Sequence, residues 1–133
     1  MTEQQRLIEK AAAAAFQSYS PYSHYRVGAV IVASEGVEYS GCNVENAAYG
    51  ASICAEANAI TNAAADGIRH IDTVAVTCLD GAACAPCGNC RQIMREFGVR
   101  RVILTDREGA PVEYTLEDLL PRSFGPEDLS ETQ

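Results

Sequence analysis

The sequence has no apolar run long enough to span a bilayer, and no basic stretch leads into an apolar one at its start. Met1-Thr2-Glu3-Gln4-Gln5 is polar and acidic. Neither a secretory leader nor a membrane span is expected, which points to the cytoplasm. Positive charge is scarce as well. Ten lysine and arginine residues face eighteen aspartate and glutamate, a net charge of −8, which disfavours a nucleic-acid backbone or an anionic membrane as partner, and neither is expected. Histidine occurs only at His24 and His70, neither with ligand-like neighbours, and both are read as non-catalytic. There is no internal repeat, linker or low-complexity tract. One domain over residues 1–133 is expected, able to bury about two thirds of its unfolded surface, with a flexible tail over about 126–133.

Cysteine, by contrast, is plentiful: there are six. An even count suits the disulfide framework of a small secreted domain, but a chain without a leader and with an adequate core does not need one. Cys42 and Cys78 lie in apolar, strand-like stretches and are expected to be core thiols. The informative pair is Cys54-Ala55-Glu56 with Pro86-Cys87-Gly88-Asn89-Cys90. Three thiolates can hold one zinc ion. Three protein ligands leave a coordination position open for water, whereas four close the site and make it structural. A carboxylate two residues after the upstream cysteine favours the open, catalytic kind. Cys84 keeps two other readings alive. Cys84 to Cys90 resembles part of an iron–sulfur run, though the closing cysteine and proline are missing. A structural zinc could also take Cys84 or Cys42 as its fourth ligand.

The periodicity predicts an α/β order. A Thr2–Gln5 capping box opens a helix to about residue 18, with Leu7, Ile8, Ala11, Ala14 and Ala15 on one side. Strands are predicted over 26–34 and 37–42, joined by Glu35-Gly36, then over 73–79, 101–105 and 111–115. Ser52 is placed as the cap of a helix over 53–65, closed by Asp66-Gly67. A second helix starts at Pro86 and stops at Gly98, so that Cys87 and Cys90 stand one turn apart. A short helix covers 116–120. Helices are expected on both faces of one mixed sheet, with the two cysteine-bearing helix starts meeting at one end. Their positive ends would offset the charge of a metal–thiolate cluster.

The two cysteine motifs match the signature of zinc nucleobase deaminases, with cysteine in place of the first ligand. Tyr22 to Ala29, Gly41 to Tyr49, Cys90-Arg91-Gln92 and Leu119 to Phe124 further resemble small homotetrameric cytidine deaminases of the all-cysteine type, over roughly residues 6–129. The resemblance implies a three-layer fold, a five-stranded mixed sheet flanked by helices. It also implies one zinc per subunit on Cys54, Cys87 and Cys90, and hydrolysis of cytidine and deoxycytidine to the uridines and ammonia in pyrimidine salvage. Glu56 would take the attacking water's proton, pass it to ring N3 and help ammonia leave. Ala55 would meet the edge of the base through its backbone, and Asn43 and Glu45 would bind the ribose. Tyr25 and Phe124 would lie around the base. The family usually has phenylalanine where Tyr25 stands, so the extra hydroxyl needs a partner. Ala47 and Tyr49 resemble residues inserted into a neighbouring subunit's site, which implies a homotetramer with shared active sites. Some relatives carry an arginine directly after the glutamate. Here that position is Ala57, and Arg91 is the remaining candidate to offset the thiolates. Another cytosine nucleoside, such as an antibiotic, is the alternative substrate; a polynucleotide is disfavoured by the acidic balance.

Overall fold

Helix α1 (Glu3–Ala15) opens with the expected capping box: Thr2 Oγ1 accepts from the Gln5 N–H, and the Gln5 side chain accepts from the Thr2 N–H. It ends three residues before the predicted boundary. Residues 16–18 continue as tight turns bonded to Ala13, Ala14 and Ala15, and the Ser18 hydroxyl turns to Asn43. The rest of the computed structural model, which describes residues 1–130, alternates strands and helices. β1 (Val27–Ala33) and β2 (Glu38–Cys42) form the predicted hairpin, turning at Gly36. A single 3₁₀ turn (Tyr49–Ala51) precedes α2 (Ala55–Ala65), then β3 (Ile71–Cys78), α3 (Gly88–Glu96), β4 (Arg101–Thr105), β5 (Pro111–Thr115), α4 (Leu116–Leu119) and α5 (Pro126–Ser130). Residues 131–133, the end of the expected tail, lie outside the described residues.

The sheet order is β2-β1-β3-β4-β5, and only β3 and β4 run parallel. Alternation along the three inner strands builds two cores. Ala29, Ile31, Val74, Val76, Val102 and Leu104 face α2 and α3, while Val30, Ala75 and Ile103 face Leu7 and Ala11 of α1. The three-layer expectation holds. Among the described residues no helix is long and apolar enough to cross a membrane.

Cys42 and Cys78 depart from the expectation of core thiols. Each sits at the C-terminal end of a strand and is only half-buried. The sheet's apolar interior stops before them, and they belong to the end where the loops converge.

At the other end of β2 from Cys42, Arg6 and Lys10 of α1 both bind Glu38, at 2.7 and 2.8 Å. The Arg6 hydrogen bond is the main reason the Glu38 carboxyl is held down at about 2. A depressed carboxylate stabilises the fold fully above its unfolded pKa and loses that contribution as pH falls towards the folded value. Glu38→Gln is therefore expected to lower the unfolding free energy measured in urea at pH 7 by about 0.2–1 kcal/mol, since Arg6 and Lys10 remain solvent-accessible. The difference from wild type should shrink between about pH 5 and pH 2. A gap that stays constant over that range would show that the ion pair is not its cause.

Candidate active site

Cys54 and Cys87 occupy equivalent places in two helices. Both are N-cap residues with extended backbones, and each carbonyl accepts the first bond of its helix, from Asn58 N at 3.1 Å and Arg91 N at 3.0 Å. Neither cysteine side chain caps its own helix, so both sulfurs are free to turn towards a common point. The helices start slightly later than predicted. Ile53 is held extended by a two-bond bridge to Val44, at 2.9 Å each way, and Ser52 Oγ accepts from Asn46 N instead of capping α2. Likewise Pro86 stands before the cap rather than at the first helical position, because Cys87 is extended.

The Sγ atoms of Cys54, Cys87 and Cys90 all lie within 4.8 Å of one another. Three thiols that close, two at helix N-termini and the third in the first turn of α3, fit a tetrahedral zinc that keeps one position open. The Sγ atoms of Cys54 and Cys87 stand 3.9 Å apart, within hydrogen-bonding reach. Hydrogen bonding from Cys90, then Cys87, pulls Cys54 down to about 6, and the bond to Cys54 drives Cys90 upward. Cys84 is not in this group. Its thiol neighbours Cys78 and Tyr25, and burial pushes it up to about 12. The hydroxyl that distinguishes Tyr25 from phenylalanine finds its partners there: it lies 3.1 Å from Cys78 Sγ and 3.4 Å from Ala83 O.

Glu56, the second residue of α2, is 4% exposed. Burial is the main cause that lifts its carboxyl to about 7, with the nearby Cys54 adding to the rise. Such a group can gain and release protons near neutrality. It shares a cavity of about 420 Å³ with Tyr25, Asn43, Glu45, Ala55, Cys54 and Cys87, within the range of small-molecule sites. Asn43 Nδ2 donates to Tyr25 O at 2.8 Å, and Asn43 Oδ1 accepts from Val27 N at 3.0 Å. Val27, Cys84, Ala85 and Ser23 also line this cavity. Sequence reasoning considered only Cys84 of these, as a fourth ligand, because a serine, alanine or valine carries no signal of its neighbours across the fold.

Three expected site residues lie elsewhere in this chain. Ala47 and Tyr49 are exposed, Tyr49 lining a neighbouring cavity. Phe124 is exposed, and its carbonyl accepts from Gln92. Arg91 directs Nε to Pro86 O at 2.9 Å and Nη1 to Leu119 O at 2.7 Å. Those bonds tie the segment before Cys87 to the end of α4.

Comparison with known proteins agrees with this geometry. Residues 1–106 match the family model described as the cytidine and deoxycytidylate deaminase zinc-binding region. The chain is 42% identical to the cytidine deaminase of Sporosarcina psychrophila, over 95% of this chain and 94% of that one. Identity to the cytidine deaminase of Halalkalibacterium halodurans is 37%, over 97% and 99%. The solved structure of cytidine deaminase from Burkholderia pseudomallei superposes with a TM-score of 0.85 at 43% identity, covering 93% of this chain and all of that one. With three sulfurs gathered at two helix starts, a buried carboxyl beside them and relatives alike over nearly their whole length, the chain belongs to the cytidine and deoxycytidylate deaminase zinc-binding family.

Proposed function

We propose that this protein hydrolyses cytidine and 2′-deoxycytidine to uridine and 2′-deoxyuridine with release of ammonia, as a step of cytoplasmic pyrimidine salvage. The observation that carries the reading is the buried Glu56 carboxyl in one cavity with Cys54 and Cys87 of the three-thiol cluster. Zinc held by Cys54, Cys87 and Cys90 supplies Lewis acidity, lowering the pKa of a water from 15.7 towards about 7.

The remaining work is proton movement. Adding water at C4 and expelling ammonia moves both of the water's protons: the first goes to ring N3 as the C–O bond forms, and the second, released from the C4 hydroxyl as it becomes the carbonyl, goes to the departing nitrogen. Glu56 can carry these in turn, because at neutral pH neither its protonated nor its ionised form is strongly favoured. The dry pocket that raises its pKa also shields the exchange from bulk solvent. The backbone of Ala55 beside it suits the edge of the base, and Tyr25 suits a ring face. Asn43 and Glu45, which line the same cavity, offer an amide and a carboxylate to the sugar hydroxyls.

We further read the working form as a homotetramer. Tyr22, Val44, Tyr49 and Ile53 expose apolar surface around the cavity, and Phe124 does so near α5. Burying such a surface against neighbouring copies would bring Ala47, Tyr49 and Phe124 to other subunits' sites. Residues 1–133 act in this reading as one deaminase domain.

Loss of cytidine absorbance with release of ammonia by the purified zinc-loaded protein tests the activity. Cytidine monophosphate is expected to react at least tenfold less efficiently, because a 5′-phosphate would approach Glu45 and the acidic surface. No conversion of either nucleoside would overturn the proposed activity, and equal rates on cytidine and its monophosphate would remove the charge-selection argument.

A further inference from the structure

Two cavities share one wall. Ser23 and Glu45 line the cavity that holds Glu56, and they also line a second one of about 390 Å³ bounded by Tyr22, Tyr49 and Ser52. The Glu45 carboxylate organises the loop at this wall. Its Oε1 accepts the N–H groups of Tyr22 at 3.0 Å and Ser23 at 3.1 Å, while its Oε2 accepts the Ser23 hydroxyl. The same Ser23 oxygen accepts from Tyr25 N at 3.0 Å. One hydroxyl therefore joins Glu45 to the backbone of Tyr25. Between them His24 sits at φ 57, with its N–H on Ser20 O at 2.9 Å. A non-glycine residue in that left-handed region is unfavourable and persists only where its surroundings hold it. The Glu45 bonds supply that hold.

Counting acceptor sites sharpens the point. Each carboxylate oxygen has two lone pairs. Oε1 already has two amide donors, whereas Oε2 has one donor and one free lone pair. A sugar hydroxyl must then donate to Oε2, the oxygen that Ser23 holds.

We propose that Ser23 is a positioning residue that sets sugar specificity. Its hydroxyl orients the free lone pair of Glu45 Oε2 towards the sugar and ties that carboxylate to Tyr25, so sugar recognition and placement of the base are coupled through one side chain. This rests on the reading of Asn43 and Glu45 as the sugar-binding pair. Ser23 does not touch the thiols or Glu56 through any of these bonds, so its removal should weaken binding far more than the chemical step.

The test compares Ser23→Thr with Ser23→Val, two side chains of nearly equal shape of which only one keeps the hydroxyl. In Ser23→Val, KM for cytidine and the calorimetric Kd for uridine are expected to rise about tenfold, the cost of a lost hydrogen bond to a charged group. kcat should stay within about threefold, and the preference for cytidine over 2′,3′-dideoxycytidine should fall by a similar factor of about ten. Ser23→Thr should restore all of these to near wild type. Wild-type KM and Kd in Ser23→Val would overturn the proposal, as would equal losses in Thr and Val variants of matching melting temperature. Glu45→Gln separates the two levels. If it leaves the cytidine preference intact, the sugar reading fails and the role of Ser23 fails with it. If it abolishes the preference while Ser23→Val does not, the role of Ser23 alone is lost.

Discussion

Glu56→Gln is expected to lower kcat on cytidine by about 10⁴-fold, the upper end of what one positioned acid–base group contributes. The upper end applies because a single carboxyl serves every proton transfer in the reaction, and the other carboxyl in the cavity, Glu45, is engaged by the N–H groups of Tyr22 and Ser23 and by the Ser23 hydroxyl. His24 and His70 are both exposed and absent from the cavity lining, and the Cys84 thiol is pushed up to about 12. Glutamine matches the shape of glutamate and keeps a hydrogen-bonding carbonyl, so substrate binding should change by less than about tenfold. Zinc content, measured by atomic absorption, should stay at one per subunit, because Glu56 is not among the three clustered ligand groups. The melting temperature should not fall, since the change introduces no buried charge. If Glu56→Gln retained more than about a hundredth of wild-type kcat, Glu56 would lie below the range for a general acid–base and another group would have to carry the protons.

Gly41→Ala is expected to have a large effect although it lies outside the cavity. A Cβ at Gly41 would stand 2.5 Å from Ala59 N and 2.7 Å from Ala55 O, both backbone atoms of α2. No rotamer change can relieve an overlap with backbone, so α2 would have to lift away from β2. That would strain the bond from Asn58 Nδ2 to Cys42 O, 2.8 Å long, which also ties the helix to the strand. Overpacking of this kind typically destabilises by about 1–3 kcal/mol and at times more; with backbone on both sides of the clash we expect about 3 kcal/mol, or a fall of roughly 10 °C in melting temperature. Because Cys54, Ala55 and Glu56 form the start of the displaced helix, zinc should also be lost to a chelator more readily. A melting temperature within about 2 °C of wild type, with unchanged zinc retention, would show that α2 is free to slide and does not fix the site.

Much of the fold was legible in the chain. The Thr2–Gln5 capping box, the turn at Gly36 and the stops at Gly67 and Gly98 are local signals, and the structure carries all four. β4 and β5 match their predicted bounds, because short apolar runs between polar turns leave little freedom. Helix starts were less legible. The Ser52 hydroxyl and Pro86 are both good local start signals, yet α2 begins at Ala55 and α3 at Gly88. The bridge between Val44 and Ile53 overrides the first, a contact across nine residues of sequence that no capping rule contains.

The three clustered thiols and the carboxyl beside them were legible in residue type and spacing, because the two motifs carry them together. The sequence by itself therefore determined the chemistry class, the sheet-and-helix order and the acidic exterior, all of which depend on local pattern and composition. Only the tertiary structure decided which cysteines act together. Cys84 lies three residues from Cys87 in sequence, yet its thiol turns to Tyr25 and Cys78 and leaves the metal site with three sulfurs. It also decided the pKa of Glu56, which comes from the burial of α2 against the sheet rather than from any neighbour in the chain. The Glu45–Ser23–Tyr25 link is of the same kind: a carboxylate reaches 22 residues back to fold a loop, a distance across which sequence pattern is silent and packing alone sets the partner.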